Sequence, residues 1–367
     1  WIIALKSDDN PTGDDAFFNI PNDADDTSLA VAMQKYFSSE FDTASFAEVY
    51  SKDPDCCFTD TCALKLVAGF RDTDRRAEDG RDAWKGLSTG AYLTWLKSEY
   101  EPLFRSCSTG VIPLAVNNVD CVVNANVLFA LAVNNLTHLP GFDESLLLMR
   151  KTVFEKQWPE AGLYYPQNMI FPYCLTRAYR EGNIHHPVME ETIGQLLLDL
   201  VDMQQKYSEE YPLWKGAFPG GEDRSNHLST ALGLCALLHI GESTARRYGI
   251  LKEFQCAVEG AVTFLMKQKK PYSIRNRNTF SRKNGKYVFP FAPLGYQWES
   301  GLFFTSSFSD LAQWRCKSLT AAIVLEALGK YLLEYDIHSY DRTTGPKIHI
   351  VSYPTHATKD PMEFIIR

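Results

Sequence analysis

The residues best placed to do chemistry lie in one short run, Asn22-Asp23-Ala24-Asp25-Asp26-Thr27-Ser28-Leu29-Ala30. Apolar residues at helical spacing follow at once, at Leu29, Ala30, Ala32, Met33, Tyr36 and Phe37. The carboxylates of Asp23, Asp25 and Asp26 are close enough to repel one another. They do not ionise equally unless a cation, a base or a hydrogen-bond donor faces them. Three uses are open. Asp25 or Asp26 could be the N-cap, with the others near the positive end of the helix dipole, which stabilises a helix by about 1 kcal/mol. A carboxyl flanked by two others in an apolar mouth could keep its proton and act as a general acid. The cluster could also hold a divalent cation, given oxygen ligands from elsewhere. No other cofactor is expected.

The elements that must position this run are helices. Apolar periodicity predicts helices over 27–37, 119–134, 143–158, 173–180, 187–207, 227–240, 245–269 and 316–335. Asp143 is the expected N-cap of its helix. Strand-like pieces fall at Trp1–Lys6, Ala91–Leu96, Tyr272–Ile274, Lys286–Phe289, Tyr296–Trp298, Leu302–Phe304 and Lys347–Tyr353. Phe70–Gly90 is strongly charged and reads as an exposed excursion.

Several of these helices begin alike: Asp25–Met33, Asp120–Leu128, His227–Leu234 and Ser318–Leu325, with Tyr173–Ala178 as a fifth. Each opens on polar residues, then a small residue, then an apolar stretch. Helices apolar all round are buried on every side, and small residues let them pack closely. That pattern predicts an all-α fold, an (α/α) barrel or toroid, with short strand pieces in its loops. The helices over 143–158, 187–207 and 245–269 form the outer ring. Stacked helix hairpins are the simpler reading of the same pattern. One domain is expected over 1–367. The chain starts at Trp1 and not at Met, which leaves room for a targeting segment or a further domain upstream.

Parallel inner helices put their N-termini at one end, where dipoles and polar residues converge. Asp25, Asp26, Asp120, Asn124, His227, Ser229 and Lys317 would ring that mouth. Tyr164, Tyr165 and Trp214 on loops at the same end could stack on a substrate.

Asp23-Ala24-Asp25-Asp26-Thr27 resembles the Asp-x-Asp-Asp-Thr motif of class II terpene cyclases and squalene-hopene cyclases, which are built from (α/α) barrels. Trp298–Phe304 followed by Trp314–Ala321 is similar to the toroid repeats of that superfamily, which adds Trp298 to the substrate-binding candidates. The resemblance implies an isomerase or lyase. Asp25 would protonate an alkene or epoxide of an isoprenoid, Asp23 and Asp26 would tune it, and aromatic faces would stabilise the cations. Asp120-Cys121 with His227 also resembles the zinc ligands of protein prenyltransferase β subunits, another (α/α) barrel.

Other functions fit the same residues. A glycoside hydrolase or lyase would set Asp25 or Asp26 opposite Asp120, Glu222 or Asp223, with carboxylates ~5–10 Å apart. A non-catalytic barrel would bind a ligand or partner. The net charge of -8 argues against non-specific nucleic-acid binding. No run of about 18 apolar residues is present, so no membrane span and a soluble chain are expected. Cys121, Cys174, Cys235 and Cys256 read as buried free thiols. Cys56, Cys57 and Cys62 leave a disulfide open, and His185-His186 reads as solvent-facing.

Overall fold

The structure is a computed structural model, and it describes residues 23–40, 60–73, 88–96, 117–221, 226–273, 294–305 and 313–336. The expected strands at Trp1–Lys6, Lys286–Phe289 and Lys347–Tyr353 lie outside the described residues. So do Cys56, Cys57, Glu222 and Asp223.

The chain is mainly helical. In order come α1 (Ala24–Glu40), α2 (Asp60–Gly69), α3 (Cys121–Val133), α4 (Phe142–Phe154), α5 (Ile170–Arg180), α6 (Pro187–Glu210), α7 (His227–Arg247), α8 (Leu251–Gln268) and α9 (Lys317–Tyr331). Two small antiparallel hairpins interrupt them: β1 (Lys270–Ser273) with β2 (Leu294–Gln297), and β3 (Gly301–Thr305) with β4 (Gln313–Cys316). Among the described residues no helix is long and apolar enough to cross a membrane.

The helices sort by burial into two layers. In α3 every residue from Cys121 to Leu131 is buried, and in α7 every residue from His227 to Ile240. These all-round apolar helices need neighbours on each side. The neighbours are each other: α1 packs on α3, α3 on α5, α5 on α7 and α7 on α9. Small residues permit the approach. A Cβ at Gly233 would come within 2.6 Å of the Phe218 ring. The amphipathic helices α4, α6 and α8 bury one face each, α4 against α3 and α6, and α8 against α7 and α6. Removing apolar surface from water at roughly 25 cal/mol per Å² drives this packing.

Several local expectations change. The cap of α4 is Gly141, in a left-handed conformation (φ 96°), while Asp143 sits in the first turn and Glu144 accepts a hydrogen bond from the Gly141 N–H. A Cβ at Gly141 would strike the Tyr92 ring at 2.5 Å, so no residue with a side chain suits that position. Ala91–Leu96 is extended but pairs only as isolated bridges, Tyr92 with Arg71 and Trp95 with Asp23. The described residues of the charged excursion are not all exposed. Asp72 is fully buried and accepts from the backbone N–H and hydroxyl of Thr89, which ties the two stems together. Cys121, Cys174 and Cys235 are buried free thiols, whereas Cys256 is exposed on α8. Cys62 is also a free thiol.

Candidate functional site

The three carboxylates of the acidic run take three different roles. Asp23 precedes α1, and its Oδ1 accepts from the Asp26 backbone N–H at 2.6 Å. The cap is therefore Asp23, which precedes both expected candidates, Asp25 and Asp26. Asp26 is exposed. Asp25 is buried and turned inward, where Asn126 Nδ2 on α3 donates to its Oδ1 at 2.6 Å. Tyr165 donates its hydroxyl proton to Oδ2. Burial raises the Asp25 pKa above the ordinary carboxylate range. The two hydrogen bonds and the charge of Arg177 oppose that shift, and Asp26 adds to it. Burial, followed by the charge of Asp26, pushes Asp23 up to about 7. The three carboxylates do not converge on a common point. Among the described residues, the His, Cys and carboxylate groups close enough to share an ion are Glu181, His239 and Glu326.

Asp120 holds the segment that carries Tyr165. It caps α3 by accepting from Val122 N at 2.7 Å and Val123 N at 3.1 Å. Its other oxygen accepts from Leu163 N at 2.6 Å and Tyr164 N at 3.4 Å. Burial pushes its carboxyl up to about 7, against the pull of these N–H donors. With those partners the carboxylate is an anchor rather than a group free to meet a substrate.

Aromatic rings do gather at this end. Tyr164 accepts hydrogen bonds from Trp95 Nε1 and Asn118 Nδ2, and its ring stacks on Phe304 of β3. Tyr165 meets Phe304 edge to face at 5.9 Å, and Trp314 meets it from the other strand at 5.0 Å. The β3–β4 hairpin thus brings aromatic rings against Tyr164 and Tyr165.

The remaining candidates do not join this group. Asn124 accepts from Tyr92 N and donates to Tyr92 O, and its oxygen also accepts from Ser145. It splices the 91–96 segment to α3 and α4. Trp214 and His227 both pack on Phe264 of α8, and Trp298 Nε1 donates to Leu265 O. His227 Nδ1 accepts from Glu299 N at 2.9 Å. Cys121 lies beside Thr152 on α4, with Sγ 3.6 Å from its hydroxyl oxygen. Asp120, Cys121 and His227 therefore have separate partners and no shared centre. His185 pairs with Asn183, and half-buried His186 caps α6 by accepting from Val188 N.

The interior holds polar residues that motif reading missed. Arg177 of α5 donates from Nη2 to Asn126 Oδ1 at 2.6 Å, which puts one amide between it and Asp25. Its guanidinium lies over the rings of Phe129 (4.7 Å) and Tyr173 (5.4 Å). The Tyr173 hydroxyl donates to Glu326 on α9. Lys330, one turn on, donates to Glu181, and Glu181 lies beside His239 of α7. The signal was present in the sequence as polar residues inside otherwise apolar helices, Asn126 in α3 and His239 in α7. It carried no spacing that named a chemistry. Beyond Glu181, the C-terminal ends of α3 and α5 border an open cleft of about 610 Å³, lined among others by Lys35, Tyr36 and His186.

Comparison with known proteins found no matching family model, no matching curated protein and no matching solved structure.

Proposed function

We propose that this chain is a closed (α/α) toroid of the terpene-cyclase type, in which Asp25 is the general acid that protonates an alkene or epoxide of an isoprenoid. The observation that carries the reading is the division of labour at the acidic run. Asp23 makes the cap hydrogen bond, and that leaves Asp25 as a buried carboxyl with side-chain partners only. Capping alone does not explain an inward Asp25. The succession of packed helices α1, α3, α5, α7 and α9, covered by α4, α6 and α8, is the two-layer arrangement that a toroid requires.

In this reading burial raises the Asp25 pKa and so favours the protonated carboxyl that a general acid needs. When Oδ2 carries that proton, the bond to Tyr165 reverses its sense, and the carboxyl can pass the proton to a substrate π bond. The carbon that does not take the proton becomes cationic, and the ring of Tyr165, with Phe304 packed against it, can receive it. Loss of a proton from a neighbouring carbon later closes the cycle, so the net change is an isomerisation. The glycosidase reading has less behind it, because Asp120 is fully engaged with backbone N–H groups.

The test is a turnover screen against squalene, its epoxide and prenyl diphosphates in D2O, with Asp25→Asn beside the wild type. The expected products carry one deuterium at the protonated carbon. Asp25→Asn should lose a factor of ~10²–10⁴, as general acids typically contribute. Turnover undiminished in Asp25→Asn, or none with any isoprenoid, would refute the proposal.

A further inference from the structure

Away from Asp25, the inner helices bring a second set of titratable groups together: Glu181 just after α5, His239 on α7, and Glu326 and Lys330 on α9. The hydrogen bonds around His239 fix its tautomer. Thr176 Oγ1 donates its single proton to Pro172 O at 2.7 Å, the usual back-bond of a helical threonine. Toward His239 Nδ1, 3.2 Å away, that oxygen can then only accept. Nδ1 therefore carries the ring proton, and Nε2 presents a lone pair.

That lone pair is badly placed for a protein atom. His239 is 2% exposed, and its Nε2 is buried with no hydrogen-bond partner. It faces Glu181 Oε1 at 3.3 Å, lone pair toward lone pair. Something positive belongs between them. The separation itself is informative. Two ligands on a tetrahedral zinc with bonds of ~2.0–2.1 Å lie about 3.3 Å apart. The candidate atoms of Glu181, His239 and Glu326 all lie within 4.8 Å of one another. Their charges point the same way, since two carboxylates meet one ammonium. Lys330 bonds to Glu181 and stands 3.7 Å from Glu326, so a cation already lies against both carboxylates. Glu181 also lines the open cleft, which gives an ion a route in.

We propose that Glu181, His239 and Glu326 form a site for a divalent transition-metal ion, zinc or a similar borderline cation, with the Lys330 ammonium as its displaceable placeholder. One imidazole nitrogen and two carboxylate oxygens suit such an ion, with water as the fourth ligand. The proposal is independent of the role of Asp25.

The test uses the full chain, stripped with chelator and titrated with Zn²⁺ by calorimetry, with Mg²⁺ as the control. One Zn²⁺ per chain is expected, with Mg²⁺ far weaker. His239→Gln and Glu326→Gln should each weaken binding by more than ~10-fold. Lys330→Met should tighten it, because it removes the competing cation. Circular dichroism checks that each variant folds. Should the ligand variants fail to fold, Lys330→Met decides: tighter binding supports the site, and unchanged or weaker binding overturns it. Absence of stoichiometric Zn²⁺ uptake by both wild type and Lys330→Met overturns it too, and assigns the His239–Glu181 contact to a proton. Uptake that persists unchanged in folded His239→Gln and Glu326→Gln places the ion elsewhere and has the same force.

Discussion

Asp25→Asn separates a buried acid from a capping carboxylate without any knowledge of substrate. The amide keeps the shape of the side chain and can still accept from Asn126 or Tyr165, but it cannot ionise. In the wild type, burial raises the Asp25 pKa, so the folded state holds a proton that the unfolded chain has already released. The sign follows. Wild-type stability from this group is fully present below the ordinary carboxylate range and is lost as pH rises through the raised value. The loss approaches about 1.4 kcal/mol per pH unit for one group within that window. The Asn variant has no such dependence at this position. The stability of Asp25→Asn relative to wild type should therefore climb with pH. Urea unfolding at about pH 5 and about pH 8 measures it, with unchanged m-values as the check that both proteins unfold alike. Charges at Asp23 and Asp120 titrate in both proteins and cancel to first order. The opposite slope, wild type gaining on the variant as pH rises, would mean that Asp25 is an ionised partner of Arg177. The general-acid proposal would then lose its basis.

Two further perturbations probe the frame that holds the site. Asp120→Ala removes the acceptor of Val122, Val123, Leu163 and Tyr164 N–H groups. Losing a cap and orphaning buried donors should cost ~3–5 kcal/mol in urea unfolding, and a loss under ~1 kcal/mol would show that the anchor is not needed. Gly216→Ala places a Cβ 2.2 Å from the Gly260 carbonyl oxygen at a residue with φ of 85°. Backbone clash and left-handed strain together should cost ~2–4 kcal/mol, read as a lowered thermal midpoint, and an unchanged midpoint would refute the close approach of the loop after α6 to α8 at this point.

The helical class was legible because it rests on periodicity alone. Each helix expected from apolar spacing that falls on described residues is present, and the series with similar beginnings is the series that packs in succession from α1 to α9. The small residues at those beginnings were readable for the same reason, since only they allow all-apolar helices to touch. The side-chain roles were much less legible. Asn124 and Asn126 sit two residues apart on one buried helix, yet one splices the 91–96 segment to α3 and the other faces Asp25. Nothing local distinguishes them, because the choice depends on which neighbour each face meets. Trp214, His227 and Trp298 illustrate the converse. Their types suit a binding site, but α8 takes all three into packing and hydrogen bonds of its own. Glu181 and Glu326 were invisible for a third reason: each is an ordinary charged residue until distant helices bring it against His239 and Lys330.

The acidic run shows how a helix sorts equivalent residues. Capping and acid catalysis call for the same residue types at the same place, so composition cannot choose between them. Helix phase can. With α1 starting at Ala24, Asp23 stays outside the helix, bridged to Trp95, and is the residue able to reach forward to the Asp26 N–H. Successive helical residues turn by about 100°, so Asp25 and Asp26 must face different directions. Once Ala24, Ser28, Val31 and Ala32 turn toward the core, Asp25 is carried inward with them and Asp26 is left in water. One carboxylate then satisfies the helix end, one is solvated, and the third has to be stabilised by side chains from other elements. Asn126 and Tyr165 supply that, and Asp120 fixes where Tyr165 can be. A buried carboxyl that requires this much support from α3 and from the 163–165 segment is an expensive way to start a helix that Asp23 already caps. The physical case for chemistry at Asp25 rests on that redundancy.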